Sequence, residues 1–296
     1  MIYDAIIIGR GPAGLSCAIY TTRGNLKTLV IGKTDSMLFK ADKIENYYGF
    51  EHPIGGKELF ETGEKQALRL GAEIKEDEVV GIEKTDNFKV ICVNGEYEAK
   101  TVLLATGAPV VKAPVRKLDQ FEGNGVSYCT TCDGFFYRNK KVGVLGYTDY
   151  AVHEALELMA FTSDITLYTN GMPLNISDKH KDSLSKLRIS ENKIKELDGQ
   201  DKIEWVVFED GSRESIEGLF VAYGSASSTS FALKMGIATE GKSIKVNDKM
   251  ETNIPGLFAA GDCTTVPYKQ IVIAAGAGAT AALSAFDHLI RSGVSA

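Results

Sequence analysis

What this sequence lacks narrows the field. It has no excess of positive charge: 39 acidic against 33 basic residues leave a formal charge of −6. That excludes a non-specific nucleic-acid binder and leaves open a local basic patch for an acidic protein partner. No run of about 18 apolar residues occurs, so no membrane span is expected. The opening, Met1-Ile2-Tyr3-Asp4-Ala5-Ile6-Ile7-Ile8, places no basic segment ahead of its apolar residues and does not read as a signal peptide. Cysteine is scarce, five residues with a single close pair, which argues against a secreted disulfide framework and makes the cytoplasm the expected compartment. Low-complexity segments and long linkers are missing too.

What remains is an α/β composition. Hydrophobic residues make up 44% of 296 positions, and 30 glycines allow many tight turns between strands and helices. That length suggests two domains. The first forty residues read as a buried strand at Ala5–Ile8, a glycine turn, a helix from Ala13 to near Gly24, and a second strand over 26–31. A second unit of the same kind begins at Lys141. It has a strand at Val142–Leu145, a turn at Gly146, Asp149 as the expected N-cap, and a helix with Val152, Ala155, Leu156 and Met159 on one face. Ile165–Tyr168 is its next strand. Near the end, Ile254-Pro255-Gly256-Leu257-Phe258-Ala259-Ala260-Gly261-Asp262 reads as a turn and a short strand with an acid at its carboxyl end. A small-residue helix over 271–290 follows.

Two motifs carry chemistry. Gly9, Gly11 and Gly14 match G-x-G-x-x-G between a strand and a helix, with Pro12 and Ala13 inside the turn. The glycines permit the tight turn, the approach of a pyrophosphate to the backbone, and close helix–strand packing, while the helix N-terminus offers donors to the phosphates. The acidic residue expected after the second strand is replaced by Gly32-Lys33. The second motif is Cys129-Thr130-Thr131-Cys132, followed by Asp133-Gly134. Cysteines at this spacing close a small, readily reduced disulfide, and a neighbouring carboxyl can protonate the leaving thiolate. No metal is expected. Zinc needs four ligands, whereas Cys17, Cys92 and Cys263 stand singly and His52, His153, His180 and His288 show no ligand spacing. The thiolates are also too few and scattered for an iron–sulfur cluster.

Taken in order, the glycine fingerprint, Cys-x-x-Cys-Asp-Gly, the second βαβ unit and the terminal Gly-Asp strand resemble the low-molecular-weight thioredoxin reductase family over essentially the whole chain. Ala105-Thr106-Gly107-Ala108-Pro109 is similar to its segment at the edge of the flavin domain, and Glu45-Asn46-Tyr47 with Gly49-Phe50 to its flavin-contacting loop. Gly261-Asp262 resembles the pair whose aspartate reaches the ribityl chain, and Lys269-Gln270-Ile271 stands where the family usually has Arg-Gln before a helix. The resemblance implies an α/β fold of two doubly wound, Rossmann-like three-layer domains, as in the FAD- and NAD(P)-linked disulfide oxidoreductases. It implies bound FAD on residues 1–113 and 246–296, a redox-disulfide domain over 114–245, and a homodimer. Cys132 would then meet the flavin, Cys129 would attack thioredoxin, and Asp133 would be the acid.

The departures point to the electron donor. The family's second glycine turn is G-x-G-x-x-A, whereas Gly146-Tyr147-Thr148-Asp149-Tyr150-Ala151 puts Thr148 at the cradle glycine and tyrosines at the mouth. Thr169-Asn170-Gly171 stands where members that use NADPH carry paired arginines, and no arginine follows until Arg188. Asp35-Ser36-Met37-Leu38 also replaces the family's Gly-Gly-Gln-Leu. This combination resembles the ferredoxin-dependent flavin thioredoxin reductases of anaerobic bacteria. Arg116-Lys117, Arg138 with Lys140-Lys141, and Lys40 with Lys43 are the candidate basic patches for an acidic ferredoxin. The competing readings are NADPH use through an atypical loop, a flavin dithiol oxidase that uses oxygen, and a non-catalytic flavin redox sensor.

Overall fold

The computed structural model describes residues 1–34, 36–108 and 113–293, so the readings made on Asp35 and Pro109 lie outside the described residues. The chain forms two compact units, Met1–Pro109 with Ser227–Ala296, and Val110–Ala226.

In the first unit the strand Ile2–Ile8 is central. Ile6 and Ile7 are fully buried, as an uninterrupted apolar run in a parallel strand requires. It pairs in parallel with Thr28–Ile31 on one side and Gly95–Leu104 on the other. Glu73–Lys75 extends the first edge in parallel. Gly95–Leu104 changes partners along its length: its first half pairs antiparallel with Phe88–Cys92, and Val102–Leu104 pair in parallel with Leu257–Ala259. Val79–Lys84 completes the antiparallel meander. The result is a mixed seven-stranded sheet.

The helices Pro12–Arg23 and Ile271–Arg291 pack closely on each other. Small residues allow this approach: Ala277, Ala281, Ala282 and Ala285 are buried, and a Cβ on Gly278 would stand 2.0 Å from the Ala13 carbonyl oxygen. The expectation of no span-length apolar stretch needs a correction here. Ile271–Arg291 has 21 residues, and an 18-residue stretch of it has a mean hydropathy of 1.3 with 33% of that stretch buried, long and apolar enough to cross a membrane by length and composition alone. Its alanines lift the hydropathy without forming an unbroken apolar run, and its small-residue face packs on Pro12–Arg23.

The chain rejoins this unit at residue 227 rather than at 246. Helix Ser228–Met235 packs on Val79–Lys84, and Ile244 bridges to Thr264. Those contacts place residues 227–245 with the first sheet, and no sequence periodicity signalled them.

The second unit is built on five parallel strands in the order Arg188–Ser190, Ile165–Tyr168, Val142–Leu145, Gly218–Val221, Val126–Ser127. A three-stranded antiparallel sheet, Ile194–Asp198, Trp205–Phe208 and Arg213–Ser215, stands beside it. The helix expected after Gly146 runs Asp149–Leu158. Thr148 is its N-cap and Asp149 its first helical residue, a one-residue correction. Val152 and Ala155 are buried as expected, with Leu158 joining them, while Leu156 and Met159 are only half-buried.

Candidate redox and cofactor sites

The first glycine turn is shaped for a nucleotide. Gly9 has φ of +116°, and a Cβ there would lie 2.2 Å from the Ala105 carbonyl oxygen; one on Gly14 would lie 2.0 Å from the Gly9 oxygen. Gly11 differs, because a side chain there would meet nothing within 4 Å. Its missing Cβ therefore leaves open space at the N-terminus of a helix, Pro12–Arg23, that has no side-chain cap and no acid in its first turn. Unused donors, open space and partial positive charge together suit a pyrophosphate.

Several other expected residues gather in the same unit. The Ala105 amide donates to Ile8, Gly107 has φ of +76°, and the buried Thr106 Oγ1 has no hydrogen-bond partner among the described residues. A Cβ on Gly261 would stand 3.1 Å from Ala13 Cβ, which sets half-buried Asp262 near the same turn. The Asn46 amide donates to Gln270 Oε1 at 3.0 Å, so two segments 224 residues apart meet just before Ile271 opens its helix. Lys269 Nζ is committed to the Thr264 and Val266 carbonyls at 2.7 and 2.6 Å, holding that loop closed.

Arg10 was not foreseen, because the fingerprint leaves its second position unconstrained. Its buried side chain reaches Glu64, the Gly32 carbonyl and Thr34 Oγ1 and lies 5.7 Å from the Phe60 ring centroid. Gly32 faces this side chain, and Lys33 pairs with Glu78 at 2.5 Å. The end of the second strand is thus an ion-paired cluster in which Gly32-Lys33 takes the place of the missing acid.

In the second unit Cys129 and Cys132 form a disulfide with Cα atoms 5.3 Å apart. Cys129 caps the short helix Thr130–Asp133, its Sγ accepting from the Cys132 amide at 3.1 Å. Cys129 is buried and Cys132 exposed. Asp133 Oδ2 accepts from Ser127 Oγ at 2.6 Å, and the Cys129 amide donates back to Ser127 Oγ at 3.1 Å. Ser127 therefore ties the expected acid to the backbone of the first cysteine. Burial, and then the Asp133 charge, raises the Tyr137 hydroxyl above its usual range. The other cysteines are buried; burial pushes the Cys17 thiol up strongly and Cys263 to about 11. Both are inert core thiols.

The second glycine turn is closed. Thr148 Oγ1 donates to the Gly224 carbonyl, and Thr148 bridges to Asn175, whose amide donates to Tyr147 at 2.8 Å. Asp149 stands in the helix's first turn with its carboxylate engaged by the Ser177 amide at 3.0 Å, Ser177 Oγ at 2.9 Å and His180 Nδ1 at 2.6 Å. Tyr147 and Tyr223 meet edge to face with centroids 5.1 Å apart. A Cβ on Gly146 would lie 2.2 Å from the Ala222 oxygen, so the surviving glycine serves strand packing.

The basic candidates separate. Arg116 pairs with Glu196 at 2.7 Å, and Lys117 with Glu196 and Asp198 at 3.3 and 3.5 Å. This corrects their reading as a patch, since acids from a strand 80 residues away neutralise them. Arg138 and Lys140 are exposed next to the redox turn, over the rings of Phe135 and Tyr137. Lys40 and Lys43 are exposed as well.

These features, a nucleotide cradle and a Cys-x-x-Cys disulfide turn on two α/β units, define a flavin-linked disulfide oxidoreductase. Comparison with known proteins agrees. The pyridine nucleotide-disulphide oxidoreductase family profile matches residues 3–278, and the chain belongs to that family. The thioredoxin reductase of Aquifex aeolicus (strain VF5) is 34% identical over 297 residues, covering 96% of this chain and 92% of that protein. The crystal structure of the atypical thioredoxin reductase TRi from Desulfovibrio vulgaris Hildenborough is 39% identical, covers 97% of this chain and 98% of that one, and superposes with a TM-score of 0.94. A ferredoxin-flavin thioredoxin reductase from Clostridium acetobutylicum is 34% identical over 98% of this chain and 99% of its own, with a TM-score of 0.73. Thioredoxin reductases of this family are flavoproteins that bind FAD, and the first glycine turn fits that cofactor.

Proposed function

We propose that this chain is a thioredoxin reductase that draws electrons from reduced ferredoxin rather than NADPH and passes them through FAD and the Cys129–Cys132 disulfide to thioredoxin, working as a homodimer. One observation carries the choice of donor: the helix at Asp149–Leu158 has an acid in its first turn and chain 175–177 bonded across its start. A phosphate there would meet a carboxylate where the first helix offers open space. Similarity to thioredoxin reductases of both kinds supports disulfide reduction for thioredoxin, and similarity to the ferredoxin-flavin enzyme supports the donor.

In this reading Gly9, Gly11, Pro12, Ala13 and Gly14 receive the cofactor's pyrophosphate, with Gly32, Lys33, Asn46, Ala105, Thr106, Gly107, Gly261, Asp262, Lys269, Gln270 and Ile271 around it. FAD supplies the ability to take electrons singly and deliver them in pairs. Reduction of the disulfide breaks one S–S bond with two electrons and two protons and leaves two thiols. Asp133, held by Ser127, delivers a proton to the leaving sulfur, and Cys129 then attacks the disulfide of thioredoxin.

The test is an anaerobic titration of the purified holoprotein followed by flavin absorbance. Millimolar NADPH should leave the oxidised spectrum unchanged. Reduced ferredoxin should bleach it and support thioredoxin turnover, more slowly as salt rises, because docking between opposite charges is screened. Fast bleaching by NADPH with no response to ferredoxin would overturn the reading. Turnover of small dithiols with oxygen, without thioredoxin reduction, would point to a dithiol oxidase.

A further inference from the structure

Thr130, the first residue between the two cysteines, is 1% exposed, and its single hydroxyl contacts two carboxylates. Oγ1 lies 2.6 Å from Glu154 Oε2 and 2.5 Å from Glu157 Oε2. Both glutamates belong to the helix Asp149–Leu158, which packs on the redox helix, and Glu154 is 2% exposed. A hydroxyl carries one hydrogen and so donates to one of these oxygens. The other contact, at the same short distance, needs a hydrogen on the carboxyl side. Two ionised carboxylates on one buried oxygen would repel each other with nothing between the second pair. His153 Nε2, 3.2 Å from Glu157 Oε1 but in no hydrogen bond, and buried Tyr150 are titratable neighbours on the same helix. On the redox turn, Asp133 turns to Ser127 instead.

We infer that Glu154 and Glu157 hold one proton between them across Thr130, and that this pair, at net charge −1, positions the redox turn and sets the electrostatic field at the Cys129–Cys132 couple. The pair keeps its proton through the cycle. The two protons taken up when the disulfide becomes two thiols come from elsewhere, so the glutamates act on the cysteines through Thr130. The inference rests on the redox reading of the Cys pair alone. A failure of ferredoxin as donor would leave it untouched.

Two measurements on the holoprotein test it. Infrared spectroscopy of the oxidised protein at neutral pH should show a protonated carboxylic-acid C=O band that shifts in D2O. Glu154→Gln and Glu157→Gln should each abolish the band, because the amide supplies the missing hydrogen and leaves the remaining glutamate ionised. The midpoint potential of the cysteine couple, read by equilibration with reduced and oxidised glutathione at neutral pH, should then follow charge. Either single glutamine variant keeps the charge at −1 and should leave the potential nearly where it was. The double variant removes the charge, and the potential should move to a less negative value as thiolate becomes easier to form. A merely structural role moves neither the band nor this pattern.

The absence of the band in the wild type, or its persistence in both glutamine variants, would overturn the inference. So would single variants that each shift the potential by half the double's shift, the signature of two ionised carboxylates. His153, Glu154 and Glu157 place ligand atoms within 4.8 Å of one another. A stoichiometric divalent metal in the purified protein, lost in Glu157→Gln, would assign the cluster to metal binding and overturn the shared proton.

Discussion

At the scale of single residues, five thiols divide into two kinds. Cys129 and Cys132 are joined in a turn where the Cys132 amide donates to Cys129 Sγ and Asp133 is held by Ser127. Cys17, Cys92 and Cys263 are buried, and for Cys17 and Cys263 burial keeps the thiol neutral at working pH. Native protein reduced and then treated with iodoacetamide should therefore label first at exposed Cys132, then at Cys129 once the opened turn uncovers it, giving two labels per chain by mass spectrometry and five in urea. A third label on the native protein would show that one buried thiol opens to solvent. Cys129→Ser should abolish thioredoxin reduction while flavin reduction by the donor persists, and Cys132→Ser should also remove any thiolate–flavin charge-transfer absorbance. For Asp133→Asn, a positioned acid is worth about 10²-fold or more, so single-turnover disulfide reduction should slow by at least that factor. An unchanged rate would remove Asp133 from the mechanism.

Among the elements, the contrast between two helix starts matters most. Pro12–Arg23 begins bare and open, whereas Asp149–Leu158 begins with an acid and a hydrogen-bonded cover. Restoring glycine at one position of the second turn should not restore a nucleotide site, because Asp149 and chain 175–177 remain. Thr148→Gly should therefore show no more NADPH binding by calorimetry than the parent. Binding in the micromolar range would mean that one side chain alone closed the site. The packing of Pro12–Arg23 against Ile271–Arg291 depends on Gly278. A methyl group there would collide with the Ala13 backbone, and overpacking of this kind costs about 1–3 kcal/mol. Gly278→Ala should lower the melting temperature and weaken flavin retention, since Ala13 belongs to the cradle.

For the molecule as a whole, His288 contributes to the pH dependence of stability; its ring lies 6.3 Å from that of Phe258. Burial first, then the charges of Arg291 and Lys84, hold its pKa below the ordinary 6.5. The unfolded chain thus binds this proton more tightly than the folded one. Stability attached to His288 is complete above about pH 6.5 and falls as pH drops from there toward the folded-state value. Relative to His288→Gln, the wild type should lose melting temperature between pH 7.5 and 5, read by differential scanning calorimetry. A constant difference across that range would show that the histidine carries no such penalty. Charge over the surface bears on partner choice, because pairing of Arg116 and Lys117 with acids leaves Arg138 and Lys140 as the exposed cations beside the redox turn. Under the proposed use of ferredoxin as donor, reversing both to glutamate should raise KM for ferredoxin and flatten its salt dependence, with little change in flavin content.

The sequence by itself determined what depends on neighbours along the chain. A glycine at +116° beside a strand, a helix that starts at Pro12, one residue ahead of the expected Ala13, and two cysteines three apart are local geometries that the spacing along the chain places. Tertiary structure alone decided the contacts that join distant segments. Glu154 and Glu157 reach Thr130 from 24 and 27 residues away, and Ser177 and His180 cover Asp149 from 28 and 31. Glu196 neutralises Arg116 across 80 residues, and the chain rejoins the first sheet at 227. The physical reason is that strand order and register choose which side chains share a buried space. No periodicity along the chain records that choice, so the cradle and the disulfide were legible while the closed second turn's hydrogen bonds and the shared carboxyl pair were not.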